Sequence, residues 1–202
     1  MACSMALSVA GCGQPLGVYD VEGVEVVSRL PAPFDAKVQP GYDQYLEVRV
    51  RSKTSLTAIG DKVDGVYIDA DFCPLKDPQG VIALGPVSND GHDLGLPSSA
   101  TALHPDSDGL FHYRFYIPVS YRARAVKVSG QIQLPTYDLR TANRDVCMRL
   151  FAPGYHLIAS RSEMIAIPAA TIAGVFKVSA AGADPKTAPT AASPHARRAR
   201  PA

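Results

Sequence analysis

The chain has 202 residues, 47% of them hydrophobic and 19% charged, with a formal net charge of +1. That composition is enough for one domain with a real core. It excludes the strongly basic face by which dedicated nucleic-acid binders hold phosphate, and no run approaches the ~20 apolar residues of a membrane-spanning helix.

The chain opens on an apolar stretch, Met5 to Ala10, closed by the small residues Ala10 and Gly11 directly before Cys12. Small side chains there let a signal peptidase hold an extended backbone closely. Val9-Ala10-Gly11-Cys12 resembles the lipobox of bacterial lipoproteins, the motif cut ahead of a cysteine that then receives lipid. The resemblance implies that residues 1–11 are a signal-peptide remnant, that Cys12 is the lipidated, palmitate-bearing residue, and that 12–17 form a tether. No Lys or Arg precedes Cys12, and a start upstream of Met1 would supply the basic region that signal peptides carry. Gly13, rather than Asp, follows the cysteine, which within this class implies the outer membrane on its periplasmic face.

The same resemblance sorts the four cysteines. Cys3 leaves with the leader and Cys12 carries lipid, so Cys73 and Cys147 remain. An even remainder in an oxidising periplasm reads as a disulfide, and two separate buried thiols are the alternative. Closing so long a loop would contribute ~4 kcal/mol in the chain-entropy account. No CxxC occurs, so neither a zinc ribbon nor a thioredoxin-type redox motif is available.

Residues 18–177 then read as one β domain. Val18 to Leu30 alternates weakly as a first strand and stops at Pro31-Ala32-Pro33. Tyr45 to Arg51 alternates clearly, with Leu46, Val48 and Val50 inward and Tyr45, Glu47, Arg49 and Arg51 outward. In Val66 to Phe72, Tyr67, Asp69 and Asp71 take the outward face. Turn formers crowd the stretch from Pro74 to Leu110, leaving one short apolar run, Val81 to Leu84. Such long excursions in a compact domain are often functional.

Phe111 to Val119 alternates again, with Tyr116 on the polar side, and Val126 to Leu134 follows as a longer strand. Val146, Met148 and Leu150 are inward opposite Cys147 and Arg149; Tyr155 to Ser160 and Met164 to Ile167 complete the series. Apolar residues recur at helical spacing nowhere. The expectation is therefore all-β: seven to nine strands in a single β-sandwich of immunoglobulin-like architecture. Residues 178–202, rich in Ala and Pro and ending in Arg197, Arg198 and Arg200, read as a disordered basic tail.

Motifs for chemistry are sparse. Asp90, His92, Asp93, His104, Asp106, Asp108 and His112 hold proper metal-ligand groups, yet their spacing matches no motif and fits turn chemistry better. His92, His104, Asp106 and Asp108 stay as weak metal candidates, and no cofactor is expected. Asp69 and Asp71, two apart on one strand face, read as a polar face rather than an acid–base pair. Eight tyrosines (42, 45, 67, 113, 116, 121, 137 and 155) could offer stacking platforms, and Tyr67 and Tyr116 lie on the polar side of their strands. The expectation is a lipid-anchored periplasmic protein without enzymatic activity. It binds envelope proteins through a strand edge or the 74–110 loops. The alternatives are a glycan- or peptidoglycan-binding module at Tyr67 or Tyr116 and, third, a metal-dependent hydrolase.

Overall fold

A computed structural model describes residues 15–31, 34, 42–57, 65–77, 79–94, 103–122, 136–153 and 160–182. The lipobox-like stretch with Cys12, the expected strand from Val126 to Leu134, Tyr155, and the tail beyond 182 lie outside the described residues.

The alternating sequences form strands where their pattern demands. These are β1 (Asp20–Val27), β2 (Tyr45–Ser52), β3 (Tyr67–Phe72), β4 (Leu84–Ser88), β5 (Phe111–Pro118), β8 (Val146–Ala152) and β10 (Ile165–Ile167). Three two-residue strands join them: β6 (Ser120–Tyr121), β7 (Tyr137–Asp138) and β9 (Ser160–Arg161). One antiparallel sheet runs β1-β2-β5-β4; a second runs β10-β8-β3, with β9 also on β8; β6 and β7 pair separately. The chain is thus mostly β, in several antiparallel sheets. Leu46, Val48, Val50, Tyr113, Phe115 and Ile117 of the first sheet and Ala70, Met148 and Leu150 of the second meet in one core. The short apolar run at Val81–Leu84 only begins a strand at its last residue; Val81 is buried and its N–H donates to the Ala70 carbonyl at 3.0 Å.

Cys73 and Cys147 form a disulfide with Cα atoms 5.0 Å apart. It clips the end of β3 to the start of β8, where the Cys73 N–H also donates to the Asp145 carbonyl at 2.9 Å. Asp71 orders the turn that follows. Its carboxylate accepts the N–H groups of Phe72, Lys76 and Asp77 at 2.7–3.1 Å. A side chain at Gly80 would collide with that carboxylate and displace it from these bonds.

Two expectations are corrected. The first is the outward face of β2 and β5. Tyr45 and Glu47 are buried, and Tyr116 is 1% exposed. Leu30, Phe34 and Tyr42, from the connection between β1 and β2, pack with Tyr45, Val87 and Tyr116 into a second apolar cluster. That face is polar by parity but covered by chain the periodicity does not register. The second is the absence of helix. Residues Ala169–Gly182 form α1, directly after Pro168. Alanine is the strongest helix former, so composition that reads as a loose tail supports a helix once one stripe can be buried. Ile172 is buried and Phe176, one turn on, packs against the same core. Asp145 holds the start: its carboxylate accepts the Ala169 N–H at 2.8 Å, beside the positive end of the helix dipole.

Ile172→Ala should cost 2–5 kcal/mol by opening the helix–core contact, and Asp145→Ala about 1 kcal/mol by removing the cap. Chemical-denaturation midpoints measure both. A wild-type midpoint for Ile172→Ala would mean that α1 is not docked.

Candidate functional site

Sheet edges are the usual template for strand addition, but most of the edges described here are occupied. Leu16 N–H donates to the Arg161 carbonyl and Glu163 N–H to the Gly17 carbonyl, both at 3.0 Å, along β9 and β10. Gln79 bridges Ala70 of β3, and Asp93 bridges Val87 of β4. β1, the remaining terminal strand of its sheet, lies alongside α1. Faces and turns are therefore better candidates for contact than edges.

The outer face of β3 and β8 presents paired rows. Tyr67 is directly opposite Phe151, Asp69 opposite Arg149 and Asp71 opposite Cys147. Tyr67, 38% exposed, stacks on Phe151 with ring centroids 5.5 Å apart and planes 29° from parallel. Arg149 Nη2 donates to Asp69 Oδ2 at 3.3 Å, while the buried Nε of Arg149 has no hydrogen-bond partner among the described residues. Asp69 and Asp71 thus do structural work, one in an ion pair and the other on backbone N–H groups. The other described tyrosines are held within the fold. Tyr42, Tyr121 and Tyr137 stack in series, and Tyr113 donates to the Thr54 carbonyl at 2.8 Å while accepting the Leu56 N–H at 3.0 Å. Burial pushes the Tyr113 phenol up to about 12.

The weak metal candidates separate. His92 sits in the turn after β4, where its N–H donates to Ser88 Oγ at 3.1 Å and its carbonyl accepts the Ser88 N–H at 3.0 Å. His104 is exposed, and Asp106 and Asp108 belong to the turn before β5. Among the described residues no group of three or more His, Cys, Asp or Glu side chains is arranged to hold a metal ion.

What the turn does hold is the His112 imidazole, set between carboxylates. His112 Nδ1 lies 2.8 Å from Glu22 Oε2, and its Nε2 lies 3.1 Å from Asp108 Oδ2 and 3.7 Å from Asp106 Oδ2. Asn89 Nδ2 donates to Asp106 Oδ2 at 3.2 Å, and Arg114 Nη2 donates to the Ser88 and Asn89 carbonyls. The turns at 88–92 and 106–109 are thereby bonded to each other. Glu22 was invisible to any motif, since it lies 90 residues from His112 and only the β1-β2-β5 order brings them together. Beside the cluster, Val18, Asp20, Arg51, Ser52, Lys53, Thr54 and Leu110 line a cleft of about 460 Å3.

Burial alone would lower the His112 pKa, but hydrogen bonding and charge from Glu22 and then Asp108 outweigh it, so the net direction is upward from 6.5. The Leu110 N–H, ahead of His112, holds the Asp108 carboxyl below the ordinary range. A raised folded pKa makes the stability that His112 contributes complete below pH 6.5 and lost as pH climbs through the folded value. The melting-temperature difference between wild type and His112→Gln should therefore be largest in mild acid and shrink toward alkaline pH. A difference independent of pH would show that the imidazolium is not what holds the turn.

Compared with known proteins, the chain matches no family model, no curated protein and no solved structure.

Proposed function

We propose that this chain is a lipid-anchored binding protein of the bacterial envelope, held on the periplasmic face of the outer membrane through Cys12. It works by contact with envelope proteins rather than by chemistry. The observation that carries this reading is the Cys73–Cys147 disulfide. Cystines persist in oxidising compartments such as the periplasm, the destination that the lipobox-like Val9-Ala10-Gly11-Cys12 implies. The two sheets sharing one core support a single β-sandwich of immunoglobulin-like kind spanning 18–177.

The protein-binding surface in this reading is the pair of turns at 88–92 and 106–109. Their bonds through Asn89, Asp106, Asp108 and Arg114 order them in advance, and surfaces already ordered lose less entropy on binding. Glycan binding is the second reading, favoured by the stacked Tyr67–Phe151 pair.

The test is mass spectrometry on protein expressed in a bacterium from an upstream start and isolated from membranes without reductant. The expected result is an acylated Cys12 at the N-terminus and a cross-linked peptide joining Cys73 to Cys147. An unacylated N-terminus at Met1 with both thiols free would sink the reading. A photo-crosslinking side chain at Asp90 should then capture an envelope protein, with less captured in Asn89→Ala.

A further inference from the structure

Large apolar side chains at the surface gather at one end of the molecule. Five are exposed among the described residues: Val18 at 63%, Met164 at 45%, Val21 at 39%, Tyr67 at 38%, and Val178 in α1. The first four surround the place where the chain enters the fold. Leu16 N–H donates to the Arg161 carbonyl and Glu163 N–H to the Gly17 carbonyl, and Val18 and Met164 each follow directly on the second bond. Val21 is the second residue of β1. Tyr67 opens β3 opposite Phe151, and Phe151 is in turn opposite Arg161, so Tyr67 lies two strand spacings, about 10 Å, from Arg161. The disulfide and the start of α1 are at the other end of β8.

We infer that this end seats against the lipid bilayer, with Val18, Val21, Tyr67 and Met164 in the headgroup layer. The inference rests on the anchoring through Cys12 proposed above, and it names the face that the anchor presents to the membrane. Cys12 precedes Pro15, the first described residue, by three positions. Three fully extended residues span at most ~11 Å. A single protein helix with its side chains is already about 10–12 Å thick. So short a leash leaves no room for a protein between the lipid and this end, and the bilayer is what the exposed side chains meet. Their chemistry agrees. Valine and methionine gain by leaving water, and tyrosine, with an apolar ring and a polar hydroxyl, suits the layer between hydrocarbon and water.

Charge does not drive the contact. The exposed cations at this end, Arg51, Lys53 and Arg161, are offset by Asp20, Glu22 and Glu163. Long Arg and Lys stems let their charges stay in water while their apolar atoms lie along the lipid. Apolar burial is therefore what holds the face down.

The experiment uses the full chain with Cys3→Ser, coupled through the Cys12 thiol to a maleimide-bearing lipid in vesicles of phosphatidylethanolamine and phosphatidylglycerol. A photo-crosslinking side chain is placed at Val18, Val21 or Met164, or at exposed Asp43, about 30 Å along β2 from Lys53. Mass spectrometry should find lipid adducts at the first three positions and only the background of the uncoupled chain at Asp43. Val18→Asp with Met164→Asp should cut the adducts formed at Val21 about tenfold, and raised salt should leave them unchanged. Thermal melts confirm that each variant is folded. Equal adducts at Val18 and Asp43, or none at Val18, Val21 and Met164, overturn the inference, as does a yield at Val21 that the paired aspartates leave unchanged. A yield that collapses with salt overturns the apolar account. Because the lipid is attached chemically, an unacylated native Cys12 would sink the anchoring reading without altering this measurement.

Discussion

Met148 and Leu150 of β8 and Val48 and Val50 of β2 are completely buried in one core, and this mutual covering of two sheets is the constraint on which the molecule depends. Neither sheet could remain in water alone, because each presents rows of apolar side chains. Everything else is arranged so that the covering is complete. The disulfide and the Asp145 carbonyl fasten β3 to β8 at one end of the second sheet, and the Asp145 carboxylate starts the helix that adds Ile172 and Phe176 to the core. One loop residue thus serves a strand end and a helix start together.

Polar groups are fitted around that core with few left over. Ser162 shows how. Where β9 gives way to β10 the ladder is interrupted, and the Ser162 hydroxyl accepts the Leu150 N–H at 3.0 Å while donating to the Glu163 carbonyl at 2.7 Å. A side chain replaces a backbone partner, so a strand can bend without stranding a buried donor. The Tyr116 hydroxyl is an exception: it has no partner among the described residues, although its ring is buried. Its position follows from the covering cluster of Leu30 and Phe34, which gains apolar burial there.

The bonded turns and the stacked ring pair have the same origin as the fold. β5 lies between β2 and β4 and carries His112 at its start, which places the imidazole beside Glu22 of β1 and the turn at 106–109. The rings of Tyr67 and Phe151 stack because antiparallel register sets them directly opposite. The strands thus position both the paired turns and the stacked rings.

Period-two alternation placed β2, β3, β5 and β8 within two residues of their ends, because a half-buried strand must separate its apolar and polar sides. Parity likewise put Tyr67 on the outer face. It could not say that Phe151 would be its neighbour, since register is a property of two strands and not of one. Tyr116 carries the same local pattern as Tyr67 yet is buried, because a distant connection crosses its face, whereas Tyr67 is 38% exposed. The helix at 169–182 was illegible for a related reason: an Ala-rich stretch with two large apolar residues becomes a helix when tertiary packing buries that stripe. Local alternation therefore determined which residues could face a core. Only the tertiary structure decided which faces are covered, because covering depends on contacts between segments far apart in the chain.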